Sequence, residues 1–369
     1  MTTQTADAVV LVPGFLGFSR IGNFYYFADR VVAVLRGALE RAVGRRVPVV
    51  PCTTLPTGGL AERQESLIAS LAALDAKLGG VDRLHLVGHS AGGLDAQLLT
   101  CDRPVRGEWQ RAHAVREKIA CVVALAAPQH GTCLASAAAA RFLLQPADNL
   151  RALPTLGKLL LDLGRRPSLD PSAVSLVAGA VASPSEAIKF LMQLIEHREL
   201  IADLSPESIA VLRARCRPEG RVPLVSFVTA TSPAGDERSD AFFKDLRQLT
   251  ASCSEGSSVQ LDAAASLINE RIASAIRSAK AALPVCDATT NDGVVNTVRQ
   301  LLDPSRPDEL RGIVIGDHAD VMGHYDRRDA LVEGRPLNTG LFHSGAGFGD
   351  DQFFDLYGAV ARAIGACAA

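Results

Sequence analysis

Leu84 to Val87, a short apolar run, leads straight into Gly88-His89-Ser90-Ala91-Gly92-Gly93, and a helix-compatible stretch follows from Leu94 to Thr100. A serine set among glycines where a strand turns into a helix is a candidate nucleophile. Such a serine must stand in a strained turn with its Oγ projecting, and a Cβ at 88 or 92 would collide with a neighbouring strand or helix. The start of the following helix also favours negative charge developing on a carbonyl under attack. A second glycine-rich turn, Pro13-Gly14-Phe15-Leu16-Gly17-Phe18, closes the first apolar run and can aim a backbone N–H at the same oxygen. Phe15 N–H and Ala91 N–H are therefore the expected oxyanion donors. The bland alternative for each turn is an ordinary strand-to-helix connection. A serine hydroxyl needs a general base, and the base needs an orienting acid, so both must come from farther along the chain.

The elements around these turns follow a regular rhythm. Val9 to Val12, Val47 to Val50, Leu84 to Val87, Ile119 to Leu125, Val222 to Thr229 and Gly312 to Ile315 read as strands, with helical patterns between them. Alternation of this kind predicts an α/β fold with a mostly parallel sheet. Nearly continuous apolar strands predict helices on both sheet faces. Phe27, Val31, Val34, Leu35, Ala38 and Leu39 recur at helical spacing, as does Leu60 to Leu78. After Thr132 the rhythm breaks for about 90 residues of leucine- and alanine-rich helical pattern. Residues 134–221 are expected to form a helical cap on a core made of 1–133 and 222–369. A second excursion, Ser232 to about Leu283, reads mainly helical, with Leu261 to Ala282 its clearest amphipathic piece.

Composition excludes several classes of function. The chain has 369 residues, 48% of them hydrophobic and 21% charged, which is enough to bury a core. Lys plus Arg is 38 against Asp plus Glu 40, a net charge of −2, with no basic block to track a phosphate backbone. Nucleic acid is not an expected partner. No apolar run approaches the roughly 18 residues of a membrane span. The eight cysteines are scattered without a C-x-x-C pair, and no secretory signal is visible in Met1 to Asp7. A reduced, cytoplasmic setting is expected, without zinc.

The glycine-rich turn and the G-H-S-x-G-G elbow together resemble the bacterial triacylglycerol lipases of the α/β-hydrolase superfamily, with Tyr25-Tyr26-Phe27 and Glu62-Arg63-Gln64-Glu65 in comparable places. The likeness covers roughly the first 130 residues and two later islands. Ala126-Ala127-Pro128-Gln129-His130-Gly131-Thr132 is similar to the family's T-P-H-x-G-S segment, with His130 read as a structural hydrogen-bonding residue rather than a substrate contact. Pro13 stands where the family usually has histidine.

The resemblance implies an acid and then a base after the serine. Asn291-Asp292-Gly293-Val294-Val295 resembles the family's N-D-G-x-V segment, which makes Asp292 the acid, with Asp287 its rival. Asp317-His318-Ala319-Asp320 directly follows the last expected strand and is similar to N-H-x-D, which makes His318 the base, with His343 its rival. His113, His197 and His324 read as surface residues, and His85 and His89 as packed ones. Many of these lipases bind calcium through an aspartate at the position of Asp320, but Ile272 occupies the expected place of the second carboxylate, so no metal and no cofactor is expected. The family's disulfide has no counterpart, since Val298 takes the cysteine position. The resulting expectation is a serine hydrolase acting on carboxylic esters, with a small-molecule, lipid or polyester substrate. An acyltransferase or thioesterase on the same triad, or a non-catalytic binding protein of the same fold, are the alternatives.

Overall fold

The computed structural model describes residues 6–15, 20–21, 24–55, 58–109, 112–135, 199–231, 241–252, 258–325, 331–332, 335–336 and 346–368. Six parallel strands form the central sheet: β1 (Asp7–Val12), β2 (Val49–Pro51), β3 (Arg83–His89), β4 (Ile119–Leu125), β5 (Leu224–Ala230) and β6 (Leu310–Ile315). Their spatial order is β2-β1-β3-β4-β5-β6. The strand expectations hold to within three residues at every end, because β-branched runs with no helical period have few other solutions.

Side chains of successive strand residues point to opposite faces, and this period of two separates the core into two layers. Val9 and Leu11 of β1 pack with Val31, Leu35 and Leu39 of α1 (Asp29–Val43) and with Phe353, Leu356 and Val360 of the long C-terminal helix (Asp350–Ala368). Val10 and Val12 pack on the other face with Leu67 and Leu71 of α2 (Leu60–Lys77) and Ala96 of α3 (Ala91–Leu98). Every one of these side chains is fully buried, so truncating a leucine here would cost about 2–5 kcal/mol. Helix α1 stops at Gly44, whose φ of 73° closes the end by donating its N–H to Glu40 O at 2.9 Å.

One helical expectation overran. The amphipathic segment from Leu261 is helical only over Val259–Arg271, and after a short 3-10 turn Ile276 runs beside β6 instead. Ile276 N–H donates to Ile313 O at 2.8 Å, and Ile315 N–H donates to Ile276 O at 2.9 Å. The edge of β6 offers backbone partners that a longer helix would leave unmatched, and this pairing takes precedence over the helical pattern. The described end of the expected cap includes two helices, Glu199–Asp203 and α4 (Pro206–Arg215), and buries their Leu200, Ile209 and Leu212, with Leu204 from the connection between them, in one cluster with Leu94 and Leu98 of α3. The rest of that leucine- and alanine-rich segment, Phe190 and Leu194 included, lies outside the described residues.

Candidate active site

Ser90 follows the last residue of β3 and has φ 55°, ψ −133°, a conformation that L side chains rarely adopt. Strain of this kind costs about 1–3 kcal/mol and persists only where the surroundings enforce it. They do so through close backbone approach. A Cβ on Gly88 would lie 2.3 Å from Gly92 O, and one on Gly92 would lie 2.3 Å from Val12 O. Ser90 N–H donates to Leu125 O on the neighbouring strand at 2.9 Å, and Ser90 O accepts from Gly93 N–H at 2.9 Å.

The turn after β1 presses on this serine, since a Cβ on Gly14 would come within 2.7 Å of both Ser90 Cβ and His89 O. Phe15 continues that turn and packs on the core cluster that contains Leu94. Ala91 is the first residue of α3, where backbone N–H groups have no partner within the helix. Support for the turn comes from Arg63, which is fully buried: its Nη2 donates to Pro13 O at 3.1 Å and its Nε to Asp95 Oδ2 at 2.9 Å. Burial pushes the Asp95 carboxyl up, and Arg63 pulls it back only in part. Arg63 thus braces the turn that carries Pro13, Gly14 and Phe15, a role that its sequence neighbourhood did not reveal.

Asp292 and His318 meet on the opposite side of the site. His318 Nδ1–H donates to Asp292 Oδ2 at 2.8 Å, and the His318 backbone N–H donates to Asp292 O at 3.0 Å. The carboxylate is fully buried and saturated with donors. Oδ2 also accepts from the Thr229 hydroxyl and from Gln300 Nε2 at 3.2 Å, while Oδ1 accepts from Val294 N–H at 3.0 Å and Val295 N–H at 2.8 Å. Asp287 is not at this site: it is exposed, and its Oδ1 accepts from the N–H groups of Thr289 and Thr290 in a local turn. His343 and His197 lie outside the described residues. Ser90 and His318 are linked through His89, whose ring lies 4.6 Å from the His318 ring.

The remaining histidines separate by their partners. His113 is exposed, as expected. His324 is not a surface residue: it is buried, and its Nε2–H donates to Tyr26 O at 3.0 Å. The loop after β6 folds back over the Tyr26 segment, and the polar look of His324 in sequence reflects that bond. His130 Nε2–H donates to Leu302 O at 2.9 Å, and burial lowers its pKa to about 4. His85 lies in the body of β3, far from the turn, and burial lowers its pKa to about 4 as well. Asp320 is buried and its Oδ2 accepts from Asp317 N–H at 2.7 Å. Among the described residues no group of three His, Cys, Asp or Glu side chains could hold a metal ion. No described helix is long and apolar enough to cross a membrane. A cleft of about 490 Å³, lined by Asp102, Arg103, Trp109, Arg215 and Cys216, opens beyond the far end of α3 and holds none of these groups.

The residues expected from the Ser90 turn, Phe15 and Ala91, therefore stand together at the carboxyl ends of β1 and β3, and Asp292 and His318 form a pair beside them. Thr229 and Gln300 were not expected, and Arg63 and Tyr26 were noted only within segments that resemble the lipases, with no role given to them. No protein-family model matches the chain, and no curated protein sequence does. Among solved structures the chain is similar to lipase 1 from Pelosinus fermentans, at 15% identity over 98% of this chain and 99% of that one, with a TM-score of 0.51. It is also similar to EstA from Clostridium botulinum, at 16% identity over 97% and 87% of the two chains, with a TM-score of 0.50. Together with the six-stranded parallel sheet and its flanking helices, these likenesses show an α/β-hydrolase-like fold.

Proposed function

We propose that this chain is a serine hydrolase that cleaves carboxylic esters through an acyl-enzyme. Ser90 Oγ attacks the ester carbonyl, and His318 takes the hydroxyl proton on Nε2, the ring nitrogen not engaged by Asp292. Asp292 orients the ring and stabilises the imidazolium. The oxyanion of the tetrahedral intermediate accepts from Phe15 N–H and Ala91 N–H. Collapse expels the alcohol with the proton from His318, and water repeats the sequence to release the acid. Residues 134–221 are read as a cap over the acyl site, and the cysteines among the described residues, all free thiols, suit a reduced compartment.

The single observation that carries this reading is the buried, fully donor-saturated Asp292 bonded to His318 Nδ1 beside a serine held at φ 55°. The name of one structural neighbour, a lipase, agrees with an ester substrate. A fluorophosphonate probe should label Ser90, and Ser90→Ala should lose both the label and hydrolysis of p-nitrophenyl esters, by on the order of 10⁴ to 10⁶ in kcat. The ester series from acetate to palmitate then gives the acyl-chain preference. Wild-type rates in Ser90→Ala, or a label on another residue, would remove the nucleophile assignment.

A further inference from the structure

His89 occupies the variable position of the serine turn and takes no part in the triad, yet it is almost completely buried between two functional loops. Its Nε2 lies 2.9 Å from the backbone oxygen of His318, and its Nδ1 lies 2.8 Å from the hydroxyl of Tyr26. A carbonyl can only accept, so Nε2 carries the hydrogen. Burial, aided by the nearby His318 and His324 rings, holds His89 well below the ordinary histidine range, so the imidazole is neutral and Nδ1 offers a lone pair. Tyr26 must then donate its O–H to Nδ1. The Tyr26 oxygen in turn accepts from Gly14 N–H, in the turn that carries Phe15.

The polarity of this chain is fixed at every link: Gly14 N–H to Tyr26 O, Tyr26 O–H to His89 Nδ1, and His89 Nε2–H to His318 O. It cannot run in reverse, because that would need the His318 carbonyl to donate. It therefore positions groups and does not move protons. The Tyr26 segment is independently tied to the same loop, since His324 Nε2–H donates to Tyr26 O at 3.0 Å and Ala28 N–H donates to Met322 O at 3.0 Å. Three loops that converge on Ser90 are thus linked through two side chains.

We propose that Tyr26 and His89 are positioning residues that hold the oxyanion turn and the His318 loop in register about Ser90. This rests on the roles given above to Ser90, His318 and Phe15. Misplacement of reacting groups by about 1 Å can cost on the order of 100-fold in rate, and hydrogen bonds in a chain polarise one another in a buried setting.

Tyr26→Phe keeps the ring and removes both hydroxyl bonds. For p-nitrophenyl butyrate, kcat is expected to fall by roughly 10- to 100-fold with KM changed less than about twofold. Labelling of Ser90 by the fluorophosphonate should slow by a similar factor. His89→Gln, whose amide N–H can still reach the His318 oxygen, should keep most of the activity that His89→Leu loses, at matched melting temperatures. In the wild-type protein labelled with ¹⁵N-histidine, the ring resonances that vanish in His89→Gln should show the neutral Nε2–H tautomer at neutral pH. That measurement does not depend on activity, so failure of the ester reading and failure of the hydrogen-bond chain are distinguishable. Wild-type kcat in Tyr26→Phe, equal losses in His89→Gln and His89→Leu, or an Nδ1–H tautomer would each overturn the proposal.

Discussion

The two halves of the candidate site are held by different physics. On the serine side, Ser90, Gly14, Gly88 and Gly92 bring backbone against backbone so closely that a single added carbon has nowhere to go. On the acid-base side, Asp292 is held by four donors in addition to His318, two of them side chains, Thr229 from a distant strand and Gln300 from eight residues along the chain. Steric confinement tolerates no change of shape and is indifferent to charge. A hydrogen-bond cage tolerates small changes of shape but not an exchange of donor for acceptor. The strained backbone is on the side confined sterically, where the buried Arg63–Asp95 pair braces the turn only from outside through Pro13 O, and the carboxylate bonded to His318 is on the side held by donors.

The strongest way to break this contrast is Asp292→Asn. Either orientation of the amide turns an N–H group toward existing donors, Val294 and Val295 on one side or Thr229 and Gln300 on the other, and the side chain no longer stabilises an imidazolium. Loss of kcat on the order of 10⁴ is expected, with near-wild-type rates for Asp287→Asn, which sits in a solvent-facing turn. Equal losses for the two variants would show that the cage around Asp292 has no special role.

Gly92→Ala probes the steric half. Its Cβ would meet Val12 O and Pro13 O, both backbone atoms, so α3 must shift away from β1. A fall of roughly 100-fold in kcat is expected from displacement of Ser90 and Ala91, with about 1–3 kcal/mol lost in urea unfolding. Wild-type behaviour would mean that the turn is less confined than its distances imply. Thr229→Val is a smaller change on the polar side: shape is kept and one donor to Asp292 is lost. A stability loss of about 1.5–3 kcal/mol and an activity loss near tenfold are expected.

The same contrast explains what could be read from sequence. Ser90, Gly88, Gly92, Phe15 and Ala91 are local, because a sharp turn between a strand and a helix demands glycines at fixed offsets. The six strands were legible for the same reason, through continuous β-branched runs. The long-range polar partners on either side were not. Thr229 bonds Asp292 across 63 residues and Arg63, under the serine-side turn, reaches Asp95 across 32, and a hydrophobic period carries no record of such partners. Asp292 and His318 became legible through resemblance to known lipases and through the position of His318 after the last strand. Ile276 and His324 failed for a related reason. Each looks generic in its own window, and each is placed by a backbone carbonyl or edge supplied from elsewhere in the chain.

The smallest net effect in the wild-type protein concerns the loop that carries Leu302, where two buried groups grip that residue from opposite sides. His130 Nε2–H donates to Leu302 O, and Glu309 accepts from Leu302 N–H at 2.8 Å and Asp303 N–H at 3.1 Å. Burial lowers the His130 pKa to about 4 and raises that of Glu309 to about 7. Between pH 6.5 and 4 the unfolded chain binds a proton on His130 that the folded chain refuses, so stability falls as pH drops through that window. Between pH 7 and 4.5 the folded chain holds a proton on Glu309 that the unfolded chain gives up, so stability rises as pH drops. Each contribution is on the order of 3 kcal/mol, and in the shared window from about 4.5 to 6.5 they offset one another. Single substitutions should expose the slopes. Relative to wild type, His130→Gln should gain stability as pH falls from 7 to 4.5, and Glu309→Gln should lose stability over the same range, both read from urea midpoints at each pH. Parallel profiles for wild type and both variants would mean that neither group is held out of its ordinary titration range, and that the grip on Leu302 is no tighter than a surface contact.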